Sequence, residues 1–468
     1  MRYGDNKAAN TKFGSWNMQS TQFSTKANLS SWTYLWLSSE GSRDAWQNEQ
    51  QLAPSLSAFK SKLQEVGIID VRDYTPGLHI TLATANFEAQ IDAAIRRFVS
   101  HPSRPPPKLL LVILPNADAA IYARVKFACD VKEGLRNVCV IGSKFAKDHN
   151  DQYFANVALK FNLKLGGRNQ LVDSAKLGVI AEGKTMVVGI DVTHPSPDSA
   201  KTAPSVAAIV ASVDQWLAQW PADLRIQTAR QEMVSDLGDM LKSRLKLWAT
   251  RHNNSTYPEN ILIYRDGVSE GQYEIVLDQE LPLLRQACSE LYPATSTKAG
   301  IPRLSIIIVG KRHHTRFYPT RDSDADRSSN PQNGTIVDRG VTEARNWDFF
   351  LQAHSALQGT ARPAHYYIVL DEIFRSRKVP HPFQNAADAL EDVTHNMCYL
   401  FGRATKAVSI CPAAYYADLV CERARCYLSK VFDASTPGGS VVGGSSEGEM
   451  DVEEVRVHER VRDTMFYI

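Results

Sequence analysis

The feature that most constrains this chain is a set of short, unbroken apolar runs: LLLVIL at 109–114, MVVGID at 186–191, ILIYRD at 261–266 and SIIIVG at 305–310. A run apolar at consecutive positions is apolar on both faces, which fits a buried strand of a sheet covered on both sides. Between the runs lie stretches with helical spacing, among them IYARVKFACDVKEG, YFANVALKFNLKLGG, ARQEMVSDLGDMLKSRLKLW and AAYYADLVCERARCYLSK. Strand alternating with helix predicts an α/β fold. Asp191 and Asp266 each end such a run, and in α/β sheets the strand ends are where ligands bind.

At 468 residues the chain has room for two or three domains with full cores. An apolar share of 43% argues against disorder, and no apolar run reaches membrane-spanning length. The first twenty residues are polar and carry no secretory signal, and the mid-domain character after Met1 reads as a chain cut from something longer. Seven cysteines without a CxxC pair predict neither a disulfide framework nor a zinc site, and favour an intracellular, cytoplasmic setting. Residues 1–40, rich in Ser, Asn, Thr and Lys, read as an extended linker. Residues 41–175 read as a small α/β domain, and 176–468 as a larger one with a mixed sheet. The Gly/Ser-rich 435–450 reads as a flexible surface loop. There is no phosphate-cradling GxxxxGK[ST] loop, so nucleotide triphosphate hydrolysis has no support.

Between Arg104 and Arg168 eleven basic residues face five acidic ones, a local excess that anticipates a polyanion. Two strand-end carboxylates on a shared site would repel each other unless a divalent ion joined them. Clustered oxygen ligands suit Mg²⁺ or Mn²⁺, and the chemistry best served is phosphodiester cleavage by two ions. Residue pattern alone leads to a metal–carboxylate centre beside a basic domain, without naming a substrate.

GIDVTHP, RQE, IYRDGVSEGQ, KRHHTRFYP, RATKAVSICPAAYYADLVCERARCYL and DTMFYI, in this order, resemble the PIWI domain of eukaryotic Argonaute proteins. ILPNADAAIYARVK and LKFNLKLGG resemble the MID domain before it, and YGDNKAANTKFGSWNM the linker before MID. The Gly/Ser loop and the Asp of YYADLV lean towards the filamentous-fungal quelling group. The resemblance implies a Rossmann-like MID domain followed by an RNase H-like PIWI domain, without the N-terminal and PAZ domains of a full Argonaute. It implies a chain, expected monomeric and away from membranes, that binds a small guide RNA by its 5′ monophosphate and cuts a complementary target RNA.

The resemblance assigns catalytic roles to Asp191, Glu232, Asp266 and Asp418, with Asp191, Asp266 and Asp418 as ligands of two divalent ions. Glu232 taken alone reads as an exposed helical acid. Asp418 stands where many relatives carry His. Both residues can donate a lone pair to a hard cation, and four acids at about −4 nearly balance two divalent ions. Guide binding falls to Tyr122, Lys126, Cys139, Lys160, Lys164 and Arg423, the two lysine-bearing helices meeting at one phosphate. Tyr122 and Lys126, like Lys160 and Lys164, are spaced i,i+4 and share a helix face. Asp418 and Arg423 are five residues apart, about 140° round a helix, so one helix can serve two sites. Val138 replaces a Gln common in relatives. Arg403, before a strand-like AVSIC, Ser409, within it, and Tyr415 are expected near guide phosphates. Lys311, Arg312 and His313 are expected to touch the RNA backbone, and Asn116 and Asp118 to inspect the first base. His365 receives no catalytic role. Two other readings compete: a guide-binding module that does not cut, and an unguided RNase H-type nuclease. The second leaves Tyr122, Lys126, Lys160, Lys164 and Arg423 without a task.

Overall fold

The computed structural model describes residues 1–468 except 42–43, 148–149, 197–198, 200–202, 254–255, 296–299 and 430–454. The Gly/Ser segment 435–450 therefore lies outside the described residues.

The described strands form two sheets. The first, ordered β2-β1-β3-β4, contains β1 (Trp32–Ser39), β2 (Leu78–Leu82), β3 (Leu109–Leu114) and β4 (Asn137–Ile141). All its pairings are parallel. Helices α1 (Glu49–Glu65), α2 (Phe87–Val99), α3 (Ala119–Phe127) and α4 (Asp151–Lys164) accompany it. The expectation of a linker through residue 40 is corrected here. WTYLWL is continuously buried and pairs with both β2 and β3, because its tryptophans are core residues rather than isolated surface aromatics. The segment before it is also anchored, with Tyr3, Trp16, Phe23 and Leu29 buried and Thr25 bridged to Arg168.

The second sheet has eight strands in the order β10-β11-β12-β9-β8-β5-β6-β7. They are β5 (Thr185–Thr193), β6 (Ser205–Ala211), β7 (Ala222–Gln227), β8 (Asn260–Asp266), β9 (Arg303–Gly310), β10 (Thr335–Val337), β11 (Asp348–Gln352) and β12 (Ala364–Asp371). β5, β8 and β9 run parallel and the remaining pairings are antiparallel, so the sheet is mixed. Its principal helices are α5 (Leu237–Arg251), α6 (Leu281–Leu291), α7 (Ala386–Met397) and α8 (Pro412–Tyr427). Two local expectations fail. The helix expected from residue 229 begins at Leu237, leaving Glu232 in the preceding loop. AVSIC is not a strand; it follows an isolated bridge between Lys406 and Ser15.

Helix α8 is the pivot of the molecule. It lies against β5 so closely that a Cβ on Gly189 would stand 1.9 Å from the Ala413 carbonyl oxygen. Only glycine permits that approach. Its other neighbours include α3 of the first unit, so one helix spans both.

Candidate active site and anion pocket

Two cavities flank α8. The larger, about 1130 Å³, is lined by Asp191, Glu232, Asp266 and Asp418 together with His194, Lys311, Arg312, His313, His365, Ser409 and Tyr415. Register explains the first two acids. β5 pairs with β8 so that Ile190 faces Arg265, and Asp191 and Asp266 emerge side by side at the strand ends. Asp418 is brought to the same cavity by α8. Burial, then the neighbouring Asp266 charge, pushes Asp191 up; burial also raises Asp266, with the Asp418 charge adding to it. Asp418 is pushed up to about 7 by burial, then by Asp191 and Glu422. Three carboxylates that resist ionisation together form a site whose charge a bound cation would balance.

Glu232 joins them from its loop. One oxygen stands 2.8 Å from His194 Nε2, and the other 2.9 Å from an Arg265 guanidinium nitrogen, an ion pair without hydrogen-bond geometry. Gly267, at φ +89°, is closely packed between these groups: a Cβ there would meet Asp191 Oδ1 at 3.2 Å and Glu232 Oε1 at 3.4 Å. The side chain of Arg265 is fully buried, also paired with Glu280 at 3.0 Å, and donates to the Glu232 and Asp266 carbonyls. His194, Arg265 and Glu280 were not singled out from sequence. His194 lay in plain view in GIDVTHP, whereas the Arg265–Glu280 pair joins a strand to a helical turn beyond a loop and has no short-range signature. Among the described residues no three His, Cys, Asp or Glu side chains stand in a metal-ligating arrangement. The donor chemistry nonetheless suits a hard divalent ion, because the acids are crowded and Glu232 Oε1 lacks a hydrogen-bond partner.

The smaller cavity, about 160 Å³, is lined by Tyr122, Lys126, Cys139, Lys160, Arg403 and Arg423, with Val138, Glu422, Cys426 and Ile468 among its other walls. Lys126 donates to Asn137 Oδ1. Arg423 is only 5% exposed and donates to Asp130 Oδ2 at 2.9 Å, to Tyr122 Oη at 3.0 Å, and to the Phe466 and Tyr467 carbonyls at 3.0 Å. Lys160 and Arg403 face the cavity with no protein hydrogen bond among the described contacts. Burial, then the charges of Arg403 and Lys126, lowers Lys160 to about 8.

Several expected residues fall elsewhere. Lys164 is wholly buried, donates to the Phe466 carbonyl, and does not line the pocket; burial and the Lys126 charge hold its ammonium well below the usual range. Its i,i+4 spacing with Lys160 is real, but the C-terminal segment intervenes. Arg403 and Ser409, both expected near guide phosphates, line different cavities; Ser409 accepts from Lys311 in the larger one. Asn116 and Asp118 are exposed and line neither cavity, and the Asp118 carboxylate caps α3 at Ile121 N. Tyr415 lines the acidic cavity and stacks on Phe401 with ring centroids 4.5 Å apart. His365 does line that cavity, paired to Asp348 at 2.7 Å. Asp130 was missed, although Tyr122, Lys126 and Asp130 repeat every fourth position.

The Piwi domain family matches residues 109–429. The curated protein argonaute MEL1 of Oryza sativa subsp. japonica is 34% identical over 99% of this chain and 44% of its own length. Protein argonaute 5 of Arabidopsis thaliana is 33% identical over 99% of this chain and 45% of its own length. The chain thus spans less than half of these relatives. Among solved structures, Kluyveromyces polysporus Argonaute with a guide RNA aligns with a TM-score of 0.79 at 28% identity, covering 97% of this chain and 53% of that one. The N. crassa QDE-2 AGO MID-PIWI domains align with a TM-score of 0.66 at 33% identity, covering 95% of this chain and 100% of that one.

Proposed function

Because this chain belongs to the Piwi domain family and its relatives are eukaryotic Argonaute proteins, we propose that it is the guide-binding and target-cutting half of a small-RNA-guided silencing effector. The observation that carries this reading is the pairing of two cavities of opposite charge on one helix, with Asp418 in one and Arg423 in the other. In this reading the basic pocket takes the 5′ monophosphate of the guide. Lys160 and Arg403 supply charge without protein partners, Lys126 retains free donors, and Tyr122 offers a ring for the first base. Cys139 lines the same wall. Lys311, Arg312, His313, Ser409 and Tyr415 contact the RNA backbone along the acidic cavity. Asn116 and Asp118, in their exposed loop, meet the first base.

Asp191, Asp266 and Asp418 would hold two Mg²⁺ or Mn²⁺ ions, which supply an activated water and charge stabilisation at the leaving oxygen. Glu232 completes the acidic set, its orientation fixed by His194 and Arg265. Asp418 keeps the site active in place of the His of many relatives, since either residue can ligate a hard ion. We place the first unit, a MID domain, within residues 41–175 plus the strand Trp32–Ser39, and the PIWI domain over 176–468. The likeness to the N. crassa structure supports a quelling-type assignment, and seven free cysteines suit an intracellular protein. No described helix is long and apolar enough to cross a membrane. The second reading is guide binding without cutting. A cleavage assay separates the two: the protein is loaded with a 5′-phosphorylated guide and given a complementary RNA with Mg²⁺ or with EDTA. Cutting at one position, only with Mg²⁺, supports the slicer. Intact target despite a bound guide supports the non-cutting module.

A further inference from the structure

Behind the basic pocket, in contact with its Arg423, lies a buried acid that the proposed ligand does not call for. Asp130 is 1% exposed and lies in a π-helical stretch, Ala128–Glu133, that continues α3. Such stretches shift the helical register and often occur at functional sites. Its Oδ2 accepts from Arg423 at 2.9 Å and from Tyr427 Oη at 2.9 Å, and its Oδ1 accepts from Asn137 Nδ2 at 2.9 Å. Asn137, 0% exposed, accepts in turn from Lys126. One carboxylate therefore ties α3, β4 and α8 together, and reaches the pocket through two routes.

The hydrogen-bond inventory of Arg423 gives the consequence. Its four terminal N–H groups are matched by four acceptors: Asp130 Oδ2, Tyr122 Oη and the two carbonyls of Phe466 and Tyr467. With its terminal nitrogens so occupied, Arg423 acts in the pocket chiefly as a fixed charge. Because Tyr122 Oη accepts from Arg423, its own proton is left to point elsewhere, towards the cavity that Tyr122 lines. Lys126, with one donor held by Asn137, is likewise oriented with two remaining.

We propose that Asp130 is a positioning residue for the guide's terminal phosphate: by fixing the charge of Arg423, which in turn holds Tyr122, and by orienting Lys126 through Asn137, it pre-assembles the basic pocket across the two units. This rests on the assignment of that pocket to a 5′ phosphate. Charge and positioning predict opposite signs here. A carboxylate beside an anion site repels the anion, so electrostatics alone makes its removal tighten phosphate binding. If Asp130 positions the donors, its removal weakens that binding, because released side chains must be re-ordered by the ligand.

The test measures affinity for one short RNA ending in 5′ phosphate and the same RNA ending in 5′ hydroxyl, at fixed salt, in wild type, Asp130→Asn and Tyr427→Phe. Asp130→Asn keeps the shape but sets an amide donor against the Tyr427 or Asn137 donor. The expected result is a loss of about ten-fold for the phosphorylated RNA, with the hydroxyl RNA little changed. Tyr427→Phe removes one donor to the same carboxylate and is expected to reduce the phosphate preference by about three-fold; it decides the matter if Asp130→Asn does not fold. In an Arg423→Gln background, Asp130→Asn should cost much less than in wild type. A phosphate preference that is unchanged or larger in the single variants overturns the proposal, as do additive effects in the double variant. If wild type itself binds both ends equally, the pocket assignment fails, and this role fails with it. If wild type discriminates and the variants discriminate equally, only this inference falls.

Discussion

In the acidic cavity three carboxylates crowd one another and are all held above the ordinary carboxylate range, while in the basic pocket two of the four lining cations, Arg423 and Lys126, are already held by protein oxygens. The first site is charged against itself, which suits the proposed cations. In the second, Asp130 and two backbone carbonyls hold Arg423, and Lys160 and Arg403 are left without protein partners among the described contacts. The difference teaches that convergent like charge is not one kind of signal. Where like charges face each other unrelieved, the ligand supplies the balance; where a buried counter-charge is built in, the protein supplies the geometry. Helix α8 belongs to both designs, but its Asp418 and Arg423 line different cavities, so a side-chain change in one need not disturb the other.

The sharpest way to break this comparison is to remove an acid. Asp191→Ala or Asp266→Ala is expected to lower target cleavage by more than about a hundred-fold, since even outer-shell losses at metal centres cost 10–100-fold. Affinity for a 5′-phosphorylated guide should stay within about two-fold, because neither residue lines the basic pocket. Parallel single-turnover cleavage and guide titration check it. A cutting variant would remove the residue from the metal set, and a large loss of guide affinity would mean the sites are not separable.

Next in size is a contrast within the lysines. Lys160→Ala should weaken phosphorylated RNA by about ten-fold or more, the worth of one charge-assisted hydrogen bond. Lys164→Ala should act mainly on stability, because its ammonium is occupied by the Phe466 carbonyl. Guide titration beside thermal melting distinguishes them. Equal losses of phosphate affinity with equal melting temperatures would contradict the geometry.

These residues also mark how far the sequence was legible. The central strands could be read because LLLVIL, MVVGID, ILIYRD and SIIIVG are apolar on both faces, as strands covered on both sides must be. The edges could not: LHITL alternates in burial, ADLRIQ carries charge, and the three residues of β10 are too few to form a pattern. Trp32 and Trp36 were readable as aromatic but not as sheet, because their neighbours in polar sequence masked the run. Tyr122, Lys126, Lys160, Arg423 and the acids came from motifs. What held them did not, since the Asp130–Arg423 contact joins positions 293 apart and depends on a π-helical register. Spacing likewise put Lys160 and Lys164 on one face but could not anticipate the C-terminal segment between Lys164 and the cavity.

A pH series sharpens the comparison further. Lys160 is held at about 8, so the free pocket loses a positive charge as pH rises through 8. A terminal phosphate gains its second negative charge near pH 6. The preference for a phosphorylated end should therefore peak near pH 7 and decline by several-fold towards pH 9. Lys160→Arg should flatten the alkaline limb, and an unchanged limb in that variant would assign the titration to another group.

The smallest expected effect lies in the metal-free acidic cavity. An acid whose folded pKa lies above its unfolded value binds more protons folded than unfolded, so its contribution to stability falls as pH rises between the two. For Asp191 that window runs from the ordinary aspartate value of 3.8 to about 7. Without divalent ions the melting temperature should fall across this range, and Mg²⁺ should restore it near neutrality. Asp191→Asn should raise the metal-free melting temperature at pH 8 by about 2–4 °C for each kcal/mol of relieved repulsion. A metal-free protein most stable at pH 8, with no gain in Asp191→Asn, would remove the crowding on which the metal assignment depends.

The most direct measurement of the central claim is the affinity of the wild-type protein for one short RNA bearing either a 5′ phosphate or a 5′ hydroxyl, titrated at a single salt concentration near pH 7. The two-cavity account predicts tighter binding of the phosphorylated end by about ten-fold or more, with the gap unaffected by Asp266→Ala and reduced by Lys160→Ala. Equal affinity for the two ends would contradict it, leaving the basic pocket as one part of a general backbone groove.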